Sequence, residues 1–184
     1  MSFAKALNNV MGSEGGYADV QGDKGGETYK GIARNYHPNW LGWGIIDKYK
    51  KLYPNSFKTS LKNSTKLQSF VKLFYKQNYW DVFNGNSLPY IVAEELLDQS
   101  INQGTGKLGG ERLQEALNLL NRDGKLFKDL DVDGVVGPET LKAVKKVNQR
   151  RLVKVLNGLQ FMRYYNLDIK NPENEKFAGW FDRV

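Results

Sequence analysis

Apolar residues recur at three- and four-residue intervals along most of this chain, the mark of helices with one buried face. Phe3, Leu7 and Val10 share such a stripe, which predicts a helix from a Ser2 cap to Glu14, stopped by Gly15-Gly16. Thr65 is expected to cap a second helix carrying Leu67, Phe70, Val71, Phe74 and Tyr75. Pro89 opens a third, with Val92, Leu96, Leu97 and Ile101, and Gly104 ends it. A fourth spans about 107–121 through Leu113, Ala116, Leu117 and Leu120. After a turn at Asp129 to Gly137, Pro138 starts a fifth that carries Leu141, Val144, Val147, Leu152 and Val155, and 161–166 also reads as helix.

Two stretches break the pattern. Residues 17–32 are rich in Gly and charge and read as a loop or short hairpin, followed by an aromatic segment broken by Pro and Gly at 34–44. Residues 45–66 hold Lys48, Lys50, Lys51, Lys58, Lys62 and Lys66 against only Asp47. The lysine-rich part, 48–66, reads most simply as a solvated loop, and secondarily as a contact for acidic peptides or polymers. The fold class is mainly α with a small β-like insertion near residues 17–32. A division into 1–100 and 101–184 is expected, with no linker between the halves, so the two form one packed unit or two.

Composition narrows the chemistry. The 184 residues contain no Cys and a single His, His37. Disulfides, thiolate zinc sites, cysteine nucleophiles and multi-histidine metal sites are excluded, and acid–base work falls to carboxylates. The net charge of +7 is spread evenly: 12 basic against 9 acidic residues in the first hundred, 15 against 11 in the rest. An even basic charge fits a polyanionic partner such as nucleic acid, a membrane surface or a bacterial wall. No helix is dense enough in Arg and Lys to favour nucleic acid. No apolar run approaches the ~18 residues of a membrane span, and Met1 to Gly16 lacks the apolar block of a signal peptide.

The stretch most suggestive of chemistry is Glu14-Gly15-Gly16-Tyr17, then Asp23, then Gly25-Gly26-Glu27-Thr28. On the expected helix, Glu14 lies on the apolar stripe and in the last turn, and both placements favour the protonated acid. Asp23, in a polar Gly-rich loop, is a candidate to activate water, with the Thr28 hydroxyl beside it; Asp19 is its rival. The alternative is that Glu14 merely ends a helix. Asp98 and Asn102, four apart on the third helix, are either substrate contacts or a clamp on a neighbouring loop. Tyr17, Glu27 and Tyr29 flank the acidic loop as substrate contacts. Trp40, Trp43, Tyr36, Tyr79 and Trp80 suit sugar faces but fit the core better. Asp129-x-Asp131-x-Asp133-Gly134 opens like a calcium loop, but position 140 is Thr where the loop needs Glu, so no metal is expected.

The spacing of Glu14, Asp23 and Thr28 resembles the Glu–Asp–Thr set of phage-type lysozymes. More closely, the chain resembles the glycoside hydrolase 108 family, whose N-acetylmuramidases often carry an appended peptidoglycan-binding region. The matching words are EGGY (14–17), DKGGET (23–28), GI (31–32), YWD (79–81), LDQSINQG (97–104), LQEAL (113–117), DGVVGPETL (133–141), RYY (163–165) and GWFDRV (179–184). They fall in order along nearly the whole chain, although Ala18, Val20 and Lys24 depart from the family's usual Asn and Pro.

The resemblance implies a lysozyme-like helical fold, Glu14 as general acid, and a cleft-bordering place for Asp98 and Asn102. It implies a muramidase that cuts the β-1,4 bond between N-acetylmuramic acid and N-acetylglucosamine, with bacterial peptidoglycan as partner. No cofactor is implied. A monomer is expected, made in the cytoplasm without a signal peptide and reaching the wall as a phage-type endolysin or by another export system. The rival readings are a lytic transglycosylase, which needs only the Glu, and a non-catalytic peptidoglycan-binding protein.

Overall fold

The computed structural model describes residues 3–12 and 16–170. Eight α-helices and one small sheet lie within them: α1 (Phe3–Met11), β1 (Tyr17–Ala18), β2 (Thr28–Tyr29), β3 (Ile32–Ala33), α2 (Gly42–Leu52), α3 (Phe57–Asn63), α4 (Thr65–Tyr75), α5 (Tyr90–Gln103), α6 (Gly106–Leu120), α7 (Pro138–Lys146) and α8 (Gln149–Lys170). The mainly α, lysozyme-like class read from the periodicity and the resemblance is what the chain adopts. Two compact units divide it. One comprises Leu7–Gln77; the other comprises Asn78 onward together with the residues up to Ala6.

In the first unit, β1, β2 and β3 form an antiparallel meander, with Tyr17 opposite Tyr29 and Thr28 opposite Ala33. Below it, α2 packs on α3 and α4. The core there holds Tyr29, Ile32, Trp43, Ile46, Leu61, Leu67, Val71, Phe74 and Tyr75. The expectation of a solvated loop over 48–66 is corrected: α2 and α3 occupy most of it. Gly42, Trp43 and Ile46 recur at helical spacing and are buried, as is Leu61, while the lysines project outward or lie over rings. The stripe escapes notice because it begins inside the aromatic, Gly-broken segment. The cap of α4 is Ser64, not Thr65, its hydroxyl accepting from the Leu67 N–H.

In the second unit, α5, α6 and α8 pack on one another and α7 rests on α6. Helix α5 is flanked by Pro89 and Gly104 as its caps, as its end signals predict. The single helix expected from Pro138 through Val155 is two. Val147 turns extended and the Asn148 side chain accepts from the Arg151 N–H, so a new N-cap restarts the chain as α8. Helix α1 is shorter than expected: it ends at Met11, and Ser2 and Glu14, the ends set by its apolar stripe, lie outside the described residues.

Three amides on one face of α6, at i, i+4 and i+7, hold the 127–135 turn. Asn121 binds the Phe127 carbonyl and N–H and the Asp129 carboxylate; Asn118 takes both backbone groups of Leu130. Gln114 donates to Asp133 Oδ1 and the Val135 carbonyl and accepts from the N–H groups of Asp133 and Gly134. These hydrogen bonds draw the Asp133 carboxyl below its ordinary range. The turn approaches so closely that a Cβ on Gly110 would meet the Gly134 carbonyl oxygen at 2.1 Å. Two of the three aspartates of the calcium-like word are thus held by α6 amides. Among the described residues, no three His, Cys, Asp or Glu side chains gather as a metal site.

Candidate active site

The acidic loop is built by a local hydrogen-bond pattern. The Asp23 Oδ1 accepts from the Gly25 N–H at 2.8 Å, and the Asp23 carbonyl accepts from the Gly26 N–H at 3.0 Å. Gly26 sits at φ +65°, where a side chain would strain the backbone, and an added Cβ would meet Asn35 at 2.9 Å. Its carbonyl in turn accepts from the Thr28 hydroxyl at 3.1 Å. Gly26 therefore binds both residues expected to handle water, Asp23 through its N–H and Thr28 through its carbonyl.

Asp23 is exposed, and its second carboxylate oxygen has no partner among the described residues. Asp19 is also exposed, but its Oδ2 accepts from the Tyr17 hydroxyl at 3.3 Å. Tyr36 stands beside the turn: a Cβ on Gly25 would lie 3.7 Å from its ring and 3.4 Å from Asp23 Oδ1. Tyr36 is 65% exposed, whereas Trp43 and Trp80 are buried and Trp40 donates to the Phe70 carbonyl. Of the aromatics read as core material, Tyr36 alone presents a largely open face.

Behind the loop runs a chain of ion pairs. Glu27, only 11% exposed, binds Lys50 through Oε1 at 2.6 Å and the Arg34 Nε through Oε2 at 2.6 Å. Arg34 then makes a two-pronged pair with Asp47, at 2.6 and 3.2 Å, and lies over the Trp43 ring at 4.4 Å. The Arg34 hydrogen bonds hold the Asp47 carboxyl below its ordinary value and raise the guanidinium. Burial works against the Lys50 ammonium, yet Glu27 and Tyr17 keep it charged above its ordinary range. Burial pushes the Tyr17 phenol up to about 12, so it stays a proton donor at neutral pH.

The residues named from the sequence fall into different places. Tyr17, Asp19, Asp23, Glu27 and Thr28 do gather on the hairpin. Glu27 faces inward with both oxygens held by cations, which makes it a brace for the hairpin. Tyr29 is a correction: it is fully buried, its hydroxyl donating to the Leu61 carbonyl and accepting from Gln68. The reason is register, since Tyr29 sits on the inner face of the central strand beside Ile32. Asn102 donates to the backbone carbonyl of Asp98 at 2.9 Å, one turn back on α5. Glu14 lies outside the described residues. Arg34, Asp47 and Lys50 were not read as site residues, because an ion pair 7 to 23 positions apart has no sequence periodicity; the only signal was a lone Asp among lysines.

The described residues form a mainly helical, lysozyme-like fold whose small sheet flanks a loop with an exposed carboxylate and a neighbouring hydroxyl, the fold class of lysozyme-like enzymes. Comparison with known families makes this specific. The model described as Glycosyl hydrolase 108 matches residues 7–104, and the chain belongs to that family. A second model, described as Predicted Peptidoglycan domain, matches residues 109–184. The protein is thus a glycoside hydrolase of the bacterial cell wall, with peptidoglycan as its partner. Among solved structures it is similar to SagA of Brucella abortus, at 26% identity and a TM-score of 0.60, over 98% of this chain and 90% of that one. No curated protein matches. Among the described residues, no helix is long and apolar enough to cross a membrane.

Proposed function

We propose that the chain is an N-acetylmuramidase that hydrolyses the β-1,4 bond between N-acetylmuramic acid and N-acetylglucosamine. Glu14 protonates the departing glycosidic oxygen, and Asp23 with Thr28 holds the attacking water. The observation that supports this reading is the Asp23 turn: one carboxylate oxygen accepts from the Gly25 N–H, the other is open, and the Thr28 hydroxyl donates to the carbonyl of the adjacent Gly26. Water held on the far face of the sugar leads to inversion. Because the substrate lies outside the cytoplasm, the enzyme acts after release or export by another system.

The product decides between hydrolysis and transglycosylation. A hydrolase leaves a reducing muramic acid that carries oxygen from solvent. A transglycosylase uses the sugar's own hydroxyl and leaves an anhydro end, one water lighter. Digestion of purified peptidoglycan in heavy-oxygen water is expected to give labelled reducing muropeptides. Mass spectra dominated by unlabelled anhydro products would establish the transglycosylase instead.

A further inference from the structure

Helices α6 and α8 leave a groove of about 300 Å³ on the second unit, lined by Arg112, Leu159, Met162, Arg163, Asn166, Leu167 and Lys170. Leu159, Arg163, Asn166 and Lys170 recur at i, i+4, i+7 and i+11, so one stripe of α8 forms most of its wall. Arg112 pairs with Glu115 on its own helix. Arg163 and Lys170 have no ion-pair partner among the described residues, and they set two positive charges beside the apolar side chains of the groove. A second basic hollow lies elsewhere on this unit, lined by Arg122, Lys146 and Arg151, but there the Lys146 ammonium already donates to the Leu126 carbonyl at 2.8 Å.

We propose that the α6–α8 groove binds the stem peptide of peptidoglycan, with Arg163 and Lys170 taking its carboxylates. This rests on the peptidoglycan reading above. The glycan's sugar rings are largely neutral, whereas the stem peptide alternates methyl side chains with free carboxylates. A groove that pairs Leu159 and Met162 with these two cations is complementary to that alternation and not to a bare sugar chain. Both walls lie within the stretch matched by the peptidoglycan domain. The groove would hold the peptide that branches from the wall, as a recognition element separate from bond cleavage.

Binding is measured with the full chain carrying Glu14→Gln, to suppress digestion, by co-sedimentation with purified sacculi, competed with soluble glycan strands stripped of peptide by an amidase. Those strands keep a free lactyl carboxylate on each muramic acid and so supply charge without peptide. Intact sacculi are expected to bind at least about tenfold more tightly than stripped strands, the scale of one or two charge-assisted hydrogen bonds. Arg163→Gln and Lys170→Gln should each erase most of that difference. Lys154→Gln, an equal charge change nine residues back and on the opposite face of α8, should not. A soluble synthetic stem tetrapeptide should displace the otherwise unaltered chain, which tests the proposal even if a groove variant misfolds. Equal binding to intact and stripped glycan, no displacement by the peptide, or equal losses from Lys154→Gln and Arg163→Gln would each overturn it. Failure of the muramidase reading would show separately, as wild-type protein that leaves sacculi uncut.

Discussion

At the scale of single residues, the proposed mechanism rests on Glu14 and Asp23. Glu14→Gln preserves shape but removes the proton to be donated. Turnover of cell-wall suspensions is expected to fall by at least ~10²-fold, with the circular dichroism spectrum unchanged. Asp23 and Asp19 lie four residues apart on the same hairpin and each has one oxygen hydrogen-bonded, but only Asp23 lies in the turn whose Gly26 carbonyl also holds the Thr28 hydroxyl. Asp23→Asn should therefore lower kcat far more than it alters KM, and Asp19→Asn should do much less. Steady-state kinetics on soluble peptidoglycan fragments measure both. Reversal of the two effects would transfer the role to Asp19. Glu27 illustrates how a residue type misleads. An acid next to Thr28 reads as a ligand contact, but it is shielded and held by Lys50 and Arg34.

At the scale of elements, α5 and α8 share a half-buried acid. Glu95 accepts from the Gln99 amide at 2.8 Å, and the Asn157 amide of α8 lies 2.7 Å from its Oε1. Burial, with the charges of Asp98 and Glu94, raises its pKa from 4.5 to about 7. Between those values the folded chain keeps a proton that the unfolded chain has lost. Stability therefore falls as pH rises through that window, by up to about 3 kcal/mol. Glu95→Gln stays neutral throughout, so its denaturation midpoint should lose most of the wild-type decline between pH 5 and pH 7.5. Urea unfolding at the two pH values checks it, and an unchanged slope in the variant would place the titration elsewhere.

At the scale of the whole molecule, the family matches and the packing draw different lines. The two family regions meet between residues 104 and 109, which makes 1–104 look self-sufficient. Yet α5 ends at Gln103, and it packs on α6 and α8, which a cut there would remove. Val92, Ala93, Leu96, Leu97 and Ser100 would lose that cover. Truncation after Gly104 is expected to give insoluble or molten protein, judged by near-ultraviolet circular dichroism and melting. A soluble, cooperatively melting and fully active 1–104 fragment would show that α5 finds other cover.

Much of this protein was legible before any coordinates. The helical class followed from apolar spacing, and the ends of α5 from Pro89 and Gly104, because helix periods and end signals are local. The acidic loop was legible because the Asp23 turn and Thr28 are neighbours in the chain. Tertiary structure decided what depends on partners distant in sequence. It turned the lysine-rich stretch into α2 and α3, since burial of Trp43, Ile46 and Leu61 outweighs a polar composition. It placed Tyr29 inside, since only strand register settles which face of a short sheet is covered. It assembled Glu27, Arg34, Asp47 and Lys50 into one ion-pair chain, and set Gln114, Asn118 and Asn121 against a turn up to 21 residues away. Side-chain pairing across such distances leaves no period in the sequence, because it is made by the packing of elements and not by any one of them.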